Sequence, residues 1–168
     1  ATNPWYDAVY DHVETAMNDF AAATGRQYKP FEFYGHPQAE RVIVIMGSAI
    51  GTCEEVVDEL LSRGEKVGVL KVRLYRPFSA AHLLAALPES ARAVAVLDRT
   101  KEPGALAEPL YLDVMTALAE AFNRGERETL PRTIGGRYGL SSKEFGPECV
   151  LAVFSELQSA QPKPRFTV

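Results

Sequence analysis

Three stretches of the chain carry apolar side chains at nearly every position, at residues 41–46, 66–72 and 93–97. A strand with one solvated face alternates apolar and polar residues, whereas these stretches are apolar on both faces. This pattern is typical of parallel strands covered by other elements on both sides. The sequence therefore predicts three interior strands, with two weaker strands near residues 31–34 and 133–137.

The segments between the strands repeat apolar residues at steps of three and four, which predicts helices. The first helix covers residues 6–23, and its aromatic residues Trp5, Tyr6 and Tyr10 are expected either in the core or at a seam with another domain. The second helix is predicted to begin at Thr52, where Glu55 completes a capping box, and the third begins near residue 79. The fourth helix has Pro109 in its first turn, and the fifth begins after Gly146-Pro147.

Strands that alternate with helices predict a mostly parallel sheet between two helical layers, a three-layer α/β/α fold. The length of 168 residues suits one domain covering the whole chain. Within it, residues 1–30 form a helical lead-in, and the proline-containing tail at 161–168 is expected to be a connector to a following domain. The first position is not methionine, which is compatible with processing or with a piece of a longer polypeptide.

Composition narrows the class of protein further. The net charge of −4 argues against a nucleic-acid-binding protein. The strongest apolar run, at 42–46, is too short to cross a membrane, and the chain shows no leader pattern. Two cysteines are too few for a disulfide framework or an iron–sulfur ligand set, so a cytoplasmic, reduced setting is expected.

In a sheet of this kind, ligands usually lie beyond the carboxyl ends of the strands. The loop at 47–52 follows the first interior strand and contains Gly47, Ser48, Gly51 and Thr52 ahead of a helix. Glycines before a helix N-terminus can cradle an anion, although the spacing is neither GxGxxG nor a P-loop. The alternative is a tight turn that lets strand and helix pack closely, and this second interpretation is favoured.

Two further loops at this edge are basic. They contribute the candidate residues Arg73, Arg76, Asp98, Arg99, Thr100 and Lys101. Arginines in such a place are suited to a carboxylate, a phosphate or an acidic protein surface. The alternative is a solvated rim in which Asp98 pairs with Arg99, and Lys101 with Glu102. A third interpretation, between these two, is that the basic loops contact another domain of a longer polypeptide. This third interpretation is favoured.

The remaining reactive residues form no catalytic constellation. His12 is expected on a solvated helix face, His36 in a turn and His82 half-buried on a short helix, without metal-ligand spacing among them. Cys53 near a helix start could have a lowered pKa, but a small structural residue is the favoured interpretation. Residue patterns alone thus predict no catalytic residue and no metal site.

Several motifs together resemble a known family, pyruvate:ferredoxin (flavodoxin) oxidoreductase. The most specific are DRTKEPG at 98–104 and RYGLSSKEF at 137–145, supported by NPWYD at 3–7, LYRPF at 74–78 and EPLYLDV at 108–114. These motifs occur in order along nearly the whole chain. The resemblance is to the second domain of a large multidomain polypeptide.

This resemblance implies a transketolase C-terminal-domain-like fold, with a five-stranded sheet whose first strand, at 31–34, runs antiparallel. It implies that the parent enzyme converts pyruvate and coenzyme A to acetyl-CoA and CO2 and reduces ferredoxin or flavodoxin. The parent would use thiamine diphosphate, Mg²⁺ and [4Fe-4S] clusters bound by other domains, and would form a homodimer. No catalytic residue and no cofactor carries over to this chain, whose partners would be the other domains.

The residues leave two alternatives open. The chain could be the equivalent domain of another fused reductase, such as a sulfite reductase flavoprotein subunit or a different 2-oxoacid oxidoreductase. It could also be an autonomous anion- or nucleotide-binding module that uses residues 47–52 and the basic rim.

Overall fold

The computed structural model describes residues 3–168, so residues 1 and 2 of the expected lead-in lie outside the described residues. The helices are α1 (Asn3–Thr24), α2 (Ile50–Ser62), α3 (Ala80–Ala86), α4 (Pro109–Asn123) and α5 (Pro147–Gln158), with a 3-10 turn at Leu140–Ser142. The strands are β1 (Phe31–Gly35), β2 (Arg41–Met46), β3 (Val67–Val72), β4 (Ala93–Asp98), β5 (Arg132–Arg137) and β6 (Arg165–Thr167).

The strands form one sheet in the order β1-β3-β2-β4-β5-β6. β1 pairs antiparallel with β3, and every other pair in the sheet is parallel. The mostly parallel sheet and its antiparallel first strand are confirmed, but the count of five strands is wrong. The sixth is β6, in the tail expected to be a connector, where Gly135 to Arg137 of β5 pair with Arg165 to Thr167.

The sheet has a hydrophobic core on each face, which confirms the three-layer architecture. In β2, Val42 and Val44 point into the core beneath α3 and α4. The alternate residues Ile43 and Ile45 point into the core beneath α2 and α5. Because successive side chains of a strand point to opposite faces, a strand buried between two layers must be apolar at every position.

The first helix is confirmed, and of the three aromatic residues expected in the core or at a seam, Tyr10 lies in the core. Among the described residues of α1, Tyr10 is the only buried one. Its ring stacks on His82 of α3 with centroids 3.7 Å apart. Trp5 is 78% exposed and Tyr6 61% exposed, so these two residues are not part of this domain's core.

The expected capping box of α2 is wrong. The helix begins at Ile50 with Ala49 as its N-cap residue, and no side chain makes a capping hydrogen bond there. Thr52 therefore lies inside the first turn. The starts of α4 and α5 are as expected, since each has a proline in its first turn, where a missing N–H costs no hydrogen bond.

Candidate functional site

The strand order places β2 between β3 and β4, so the loops that follow these parallel strands meet at one edge of the sheet. At this edge, two adjoining cavities of about 230 and 240 Å³ share Ser48, Arg99 and Tyr138 in their walls. The walls also include the expected residues Gly47, Thr52 and Thr100, together with Lys143 and Phe145. We call this pair of cavities the Arg99 pocket.

Tyr138 forms the floor of the Arg99 pocket. It follows β5, is 2% exposed, and its hydroxyl donates a 2.6 Å hydrogen bond to the backbone carbonyl of Met46 at the end of β2. Burial raises the pKa of Tyr138. The phenol is therefore neutral near pH 7. Its hydrogen bond ties the residue after β5 to the end of β2.

Gly139, the residue after Tyr138, allows the side chain of Arg99 to pass close to the backbone. Gly139 has a φ of +62°, and a Cβ added there would lie 3.0 Å from Nε of Arg99. A side chain at this position would be strained by the backbone and would displace the guanidinium. Gly139 thus contributes to the shape of the pocket, a role visible in the sequence only as one glycine within the RYGLSSKEF motif.

The Arg99 pocket is positively charged. Within residues 3–168, neither Arg99 nor Lys143 lies within ion-pair distance of a carboxylate. The N-terminus of α2, which has no side-chain cap, adds partial positive charge at Ser48 and Ala49. Chemically, this arrangement can attract a carboxylate or a phosphate.

Asp98 has a structural role instead of pointing into the pocket. It is fully buried, and its carboxylate accepts hydrogen bonds from the N–H groups of Leu110 at 2.9 Å and Tyr111 at 3.2 Å. These N–H groups belong to the first turn of α4 and have no partner within that helix. The expected local pairing of Asp98 with Arg99 is wrong, because the carboxylate caps a helix that begins eleven residues later in the chain.

The other basic residues of the rim find partners far away in sequence. Arg73 pairs with Glu32 of β1. Arg76 lies 2.7 Å from Asp113 of α4 and stacks over the ring of Tyr75. These two arginines therefore lie away from the Arg99 pocket and are neutralised within the domain.

Lys101 is also paired across elements. Its ammonium lies 3.6 Å from Glu108, a buried carboxylate that Arg137 of β5 approaches to 3.3 Å. The expected side-chain pair of Lys101 with Glu102 is replaced by this contact, and the Lys101 ammonium reaches only the backbone carbonyl of Glu102, at 3.4 Å. Gly51 is exposed in the first turn of α2 and is not in the walls of the pocket.

The histidines and Cys53 do not join the site. His12 is exposed as expected, and His36 accepts the N–H of Gln38 in its turn. His82 is exposed, not half-buried, and its Nδ1 lies 2.6 Å from Oγ of Ser79. Burial raises the pKa of Cys53 to about 12, the opposite of the lowering that a helix start can produce.

Sequence reasoning missed Tyr138 and Lys143 as members of the pocket. Both belong to the RYGLSSKEF motif that carries the resemblance, but no periodicity or spacing connects them to a loop ninety residues earlier. Their placement depends on β5 lying beside β4 in the sheet.

None of the helices within residues 3–168 has the length and apolar content needed to cross a membrane.

Comparison with known proteins identifies relatives along the whole chain. Residues 39–140 match the family model described as pyruvate:ferredoxin oxidoreductase core domain II. The chain is 87% identical over 168 residues to a probable pyruvate-flavodoxin oxidoreductase of Escherichia coli, covering 100% of this chain and 14% of that protein. It is 59% identical over 170 residues to the pyruvate-flavodoxin oxidoreductase of Rhodospirillum rubrum, again covering 100% of this chain and 14% of the relative.

A third relative is the pyruvate:ferredoxin oxidoreductase of Moorella thermoacetica, 54% identical over 168 residues, with 100% of this chain and 14% of the relative covered. Among solved structures, a 2-oxoglutarate:ferredoxin oxidoreductase from Magnetococcus marinus aligns with a TM-score of 0.49 at 23% identity, over 79% of this chain and 20% of that one. The chain thus spans about a seventh of the length of the curated relatives it matches.

Proposed function

Because this chain belongs to the family of pyruvate:ferredoxin oxidoreductase core domain II, we propose that it is a non-catalytic structural domain of a larger oxidoreductase. Its role is to hold neighbouring domains of the full-length polypeptide in register. The observation that carries this proposal is that most ionisable groups at the carboxyl edge of the sheet are bonded to other groups of the same domain. Asp98 caps a helix, and Arg73, Arg76 and Lys101 pair with carboxylates of the same domain.

For the full-length polypeptide, we infer the reaction that the names of its relatives describe, oxidation of pyruvate with flavodoxin or ferredoxin as the electron acceptor. Pyruvate and coenzyme A would give acetyl-CoA, CO2 and a proton, and two electrons would pass to the acceptor protein. This proposal includes a homodimeric enzyme located in the cytoplasm. The family resemblance supports both statements.

The cofactors that the family resemblance implies for such an enzyme are thiamine diphosphate with Mg²⁺ and [4Fe-4S] clusters. A cluster needs four thiolates, whereas the chain has two cysteines and Cys53 is fully buried in the core. In the part of the chain that the structure describes, no three His, Cys, Asp or Glu side chains gather around a possible metal position. We therefore assign these cofactors to other domains.

For the Arg99 pocket, we propose contact with a carboxylate of a neighbouring domain. Arg99 and Lys143 have no carboxylate partner within residues 3–168, and they lie near the start of α2, which has no side-chain cap. This positive charge supports contact with an anion. The second candidate function is binding of a small anion such as coenzyme A or a nucleotide at the same pocket. The same positive charge favours it, so the two candidates must be separated by experiment.

Calorimetric titration of the chain with thiamine diphosphate plus Mg²⁺, and then with coenzyme A, separates them. A structural domain produces no heat of binding with either ligand while the chain remains folded by circular dichroism. Micromolar binding that is lost in Arg99→Ala would refute the structural role and assign the pocket to the small ligand. Inorganic phosphate serves as the control for nonspecific binding of anions to exposed cations.

In the full-length enzyme, Arg99→Ala should lower pyruvate-dependent reduction of flavodoxin by roughly tenfold, because an interdomain charge pair loses its cation. The melting temperature of this chain alone should stay unchanged, since Arg99 is exposed. Arg63→Ala is the matched control, an exposed arginine at the C-terminal end of α2 that pairs with Glu59. Equal activity of the two variants would contradict the proposed contact.

A further inference from the structure

The helix α1 leaves much of its apolar stripe incompletely buried. It is 22 residues long, yet Tyr10 is the only residue described on it that is buried. Trp5, Tyr6 and Phe20 are 78%, 61% and 39% exposed, respectively. An amphipathic helix in a folded protein is normally held by packing of its apolar face, because helix propensity alone is marginal. Packing within this chain buries Tyr10 and half-buries Val13 and Met17, so much of that face stays accessible.

A groove runs along the exposed stripe. It has a volume of about 440 Å³ and is lined by Val13, Ala16, Met17 and Phe20 of α1 and by Tyr28 and Arg73 on the opposite side. The rings of Phe20 and Tyr28 contact each other with centroids 5.9 Å apart. The groove is therefore continuous with the seam between α1 and the segment that leads into β1, and we call it the α1 groove.

The charge at the α1 groove indicates the chemistry of its occupant. Arg73, the cation in its wall, is neutralised by Glu32 and lies over the ring of Tyr28 at 4.9 Å. Among the described residues that line the groove, Arg73 is the one cation and it is paired, and the other side chains of the wall are apolar or aromatic. Arg26 lies outside this lining, over the ring of Phe20 at 5.0 Å. The groove therefore fits apolar side chains, unlike the positive Arg99 pocket at the edge of the sheet.

The length of polypeptide outside this chain indicates where those side chains come from. The chain spans 14% of the Escherichia coli relative, to which it is 87% identical, so most of such a polypeptide lies outside it. We propose that α1 is a docking helix and that the α1 groove is covered by apolar side chains from another domain of the same full-length polypeptide. This inference rests on the proposed structural role and names the surface through which it acts.

Hydrogen–deuterium exchange of the amides of α1 tests the proposal without any substitution. In the chain alone, the amides of residues 3–24 should exchange within seconds, because few contacts oppose opening of the helix. In the full-length enzyme, the same amides should exchange roughly a hundredfold more slowly. Equal exchange in the two proteins would overturn the proposal. So would a concentration-dependent dimer of the chain alone that protects α1, since it would assign the groove to a second copy.

A pair of variants in the full-length enzyme tests the groove itself. Met17→Glu places a charge in the groove and should return the exchange of α1 to the rate seen in the chain alone. Thr15→Glu is the matched control, with the same charge on the exposed opposite face of α1, and should leave the protection unchanged. Equal protection in the two variants would overturn the proposal.

Failure of docking at α1 and failure of the proposed structural role give different experimental results. Micromolar ligand binding by the chain would refute that role but would not alter the exchange of α1. Fast exchange of α1 in the full-length enzyme would refute docking at this surface and would leave the calorimetric result for the Arg99 pocket as it stands.

Discussion

Removal of the Asp98 carboxylate is the sharpest perturbation of the sheet edge. The side chain is completely buried at the end of β4 and accepts the N–H groups of Leu110 and Tyr111. The N-cap residue of α4, Glu108, makes no side-chain capping hydrogen bond. The carboxylate of Asp98 therefore performs the capping for α4 from another part of the chain.

The size of the effect follows from these contacts. Asp98→Ala leaves two buried N–H groups without an acceptor, and each orphaned group costs about 1–3 kcal/mol. Relief from burying a charged group offsets part of this cost. We expect a net loss of about 3 kcal/mol in the free energy of unfolding. Asp98→Asn keeps one oxygen as an acceptor and should lose about 1 kcal/mol.

The pKa of Asp98 adds a dependence on pH. Burial raises this pKa, and the two N–H donors only partly oppose the shift. A group with a raised folded-state pKa stabilises the fold fully below its unfolded pKa, about 3.9 for aspartate, and loses that contribution as the pH rises through the folded pKa. The advantage of the native chain over Asp98→Asn should therefore be largest in acid and smallest near neutral pH.

Urea unfolding followed by circular dichroism measures these differences, at pH 7 and at several values down to pH 4. Arg99→Ala is the control, because it changes the next residue, which is exposed. A loss below about 0.5 kcal/mol for Asp98→Ala, the range of ordinary surface substitutions, would refute the capping argument. An advantage over Asp98→Asn that grows from acid to neutral pH would refute the direction of the pKa shift.

Two further predictions concern buried polar groups. Lys71 is 3% exposed and lies 2.6 Å from Glu32 and 2.7 Å from Glu54. Lys71→Met should therefore lower the free energy of unfolding, measured in urea, by about 2–3 kcal/mol, a value reduced because the two carboxylates are partly exposed. Replacing Glu32 and Glu54 by glutamine in the Lys71→Met variant should recover part of the loss. Cys53, with a pKa raised to about 12, should not react with a thiol reagent at pH 8 in the native chain, whereas Cys149 should. Two reactive thiols before unfolding would contradict the burial of Cys53.

Some features of this protein follow from local sequence patterns, and others from contacts between residues far apart in the chain. The interior strands were predictable because a strand between two layers is apolar on both faces, as Val42 to Ile45 are. Family membership was also readable from the sequence, through the motifs at 98–104 and 137–145. Strand β6 was not, since three residues next to prolines carry too little periodicity to indicate a strand.

The roles of the charged residues were decided by the tertiary structure. In the sequence, Asp98 stands beside Arg99, and proximity suggests a pair, but the sheet directs the carboxylate to the start of α4. Arg73 likewise finds Glu32 because β1 and β3 are neighbours in the sheet, although 41 positions separate the two residues. Local patterns report which faces of an element avoid water, whereas the partner of a polar group depends on which elements the fold brings together.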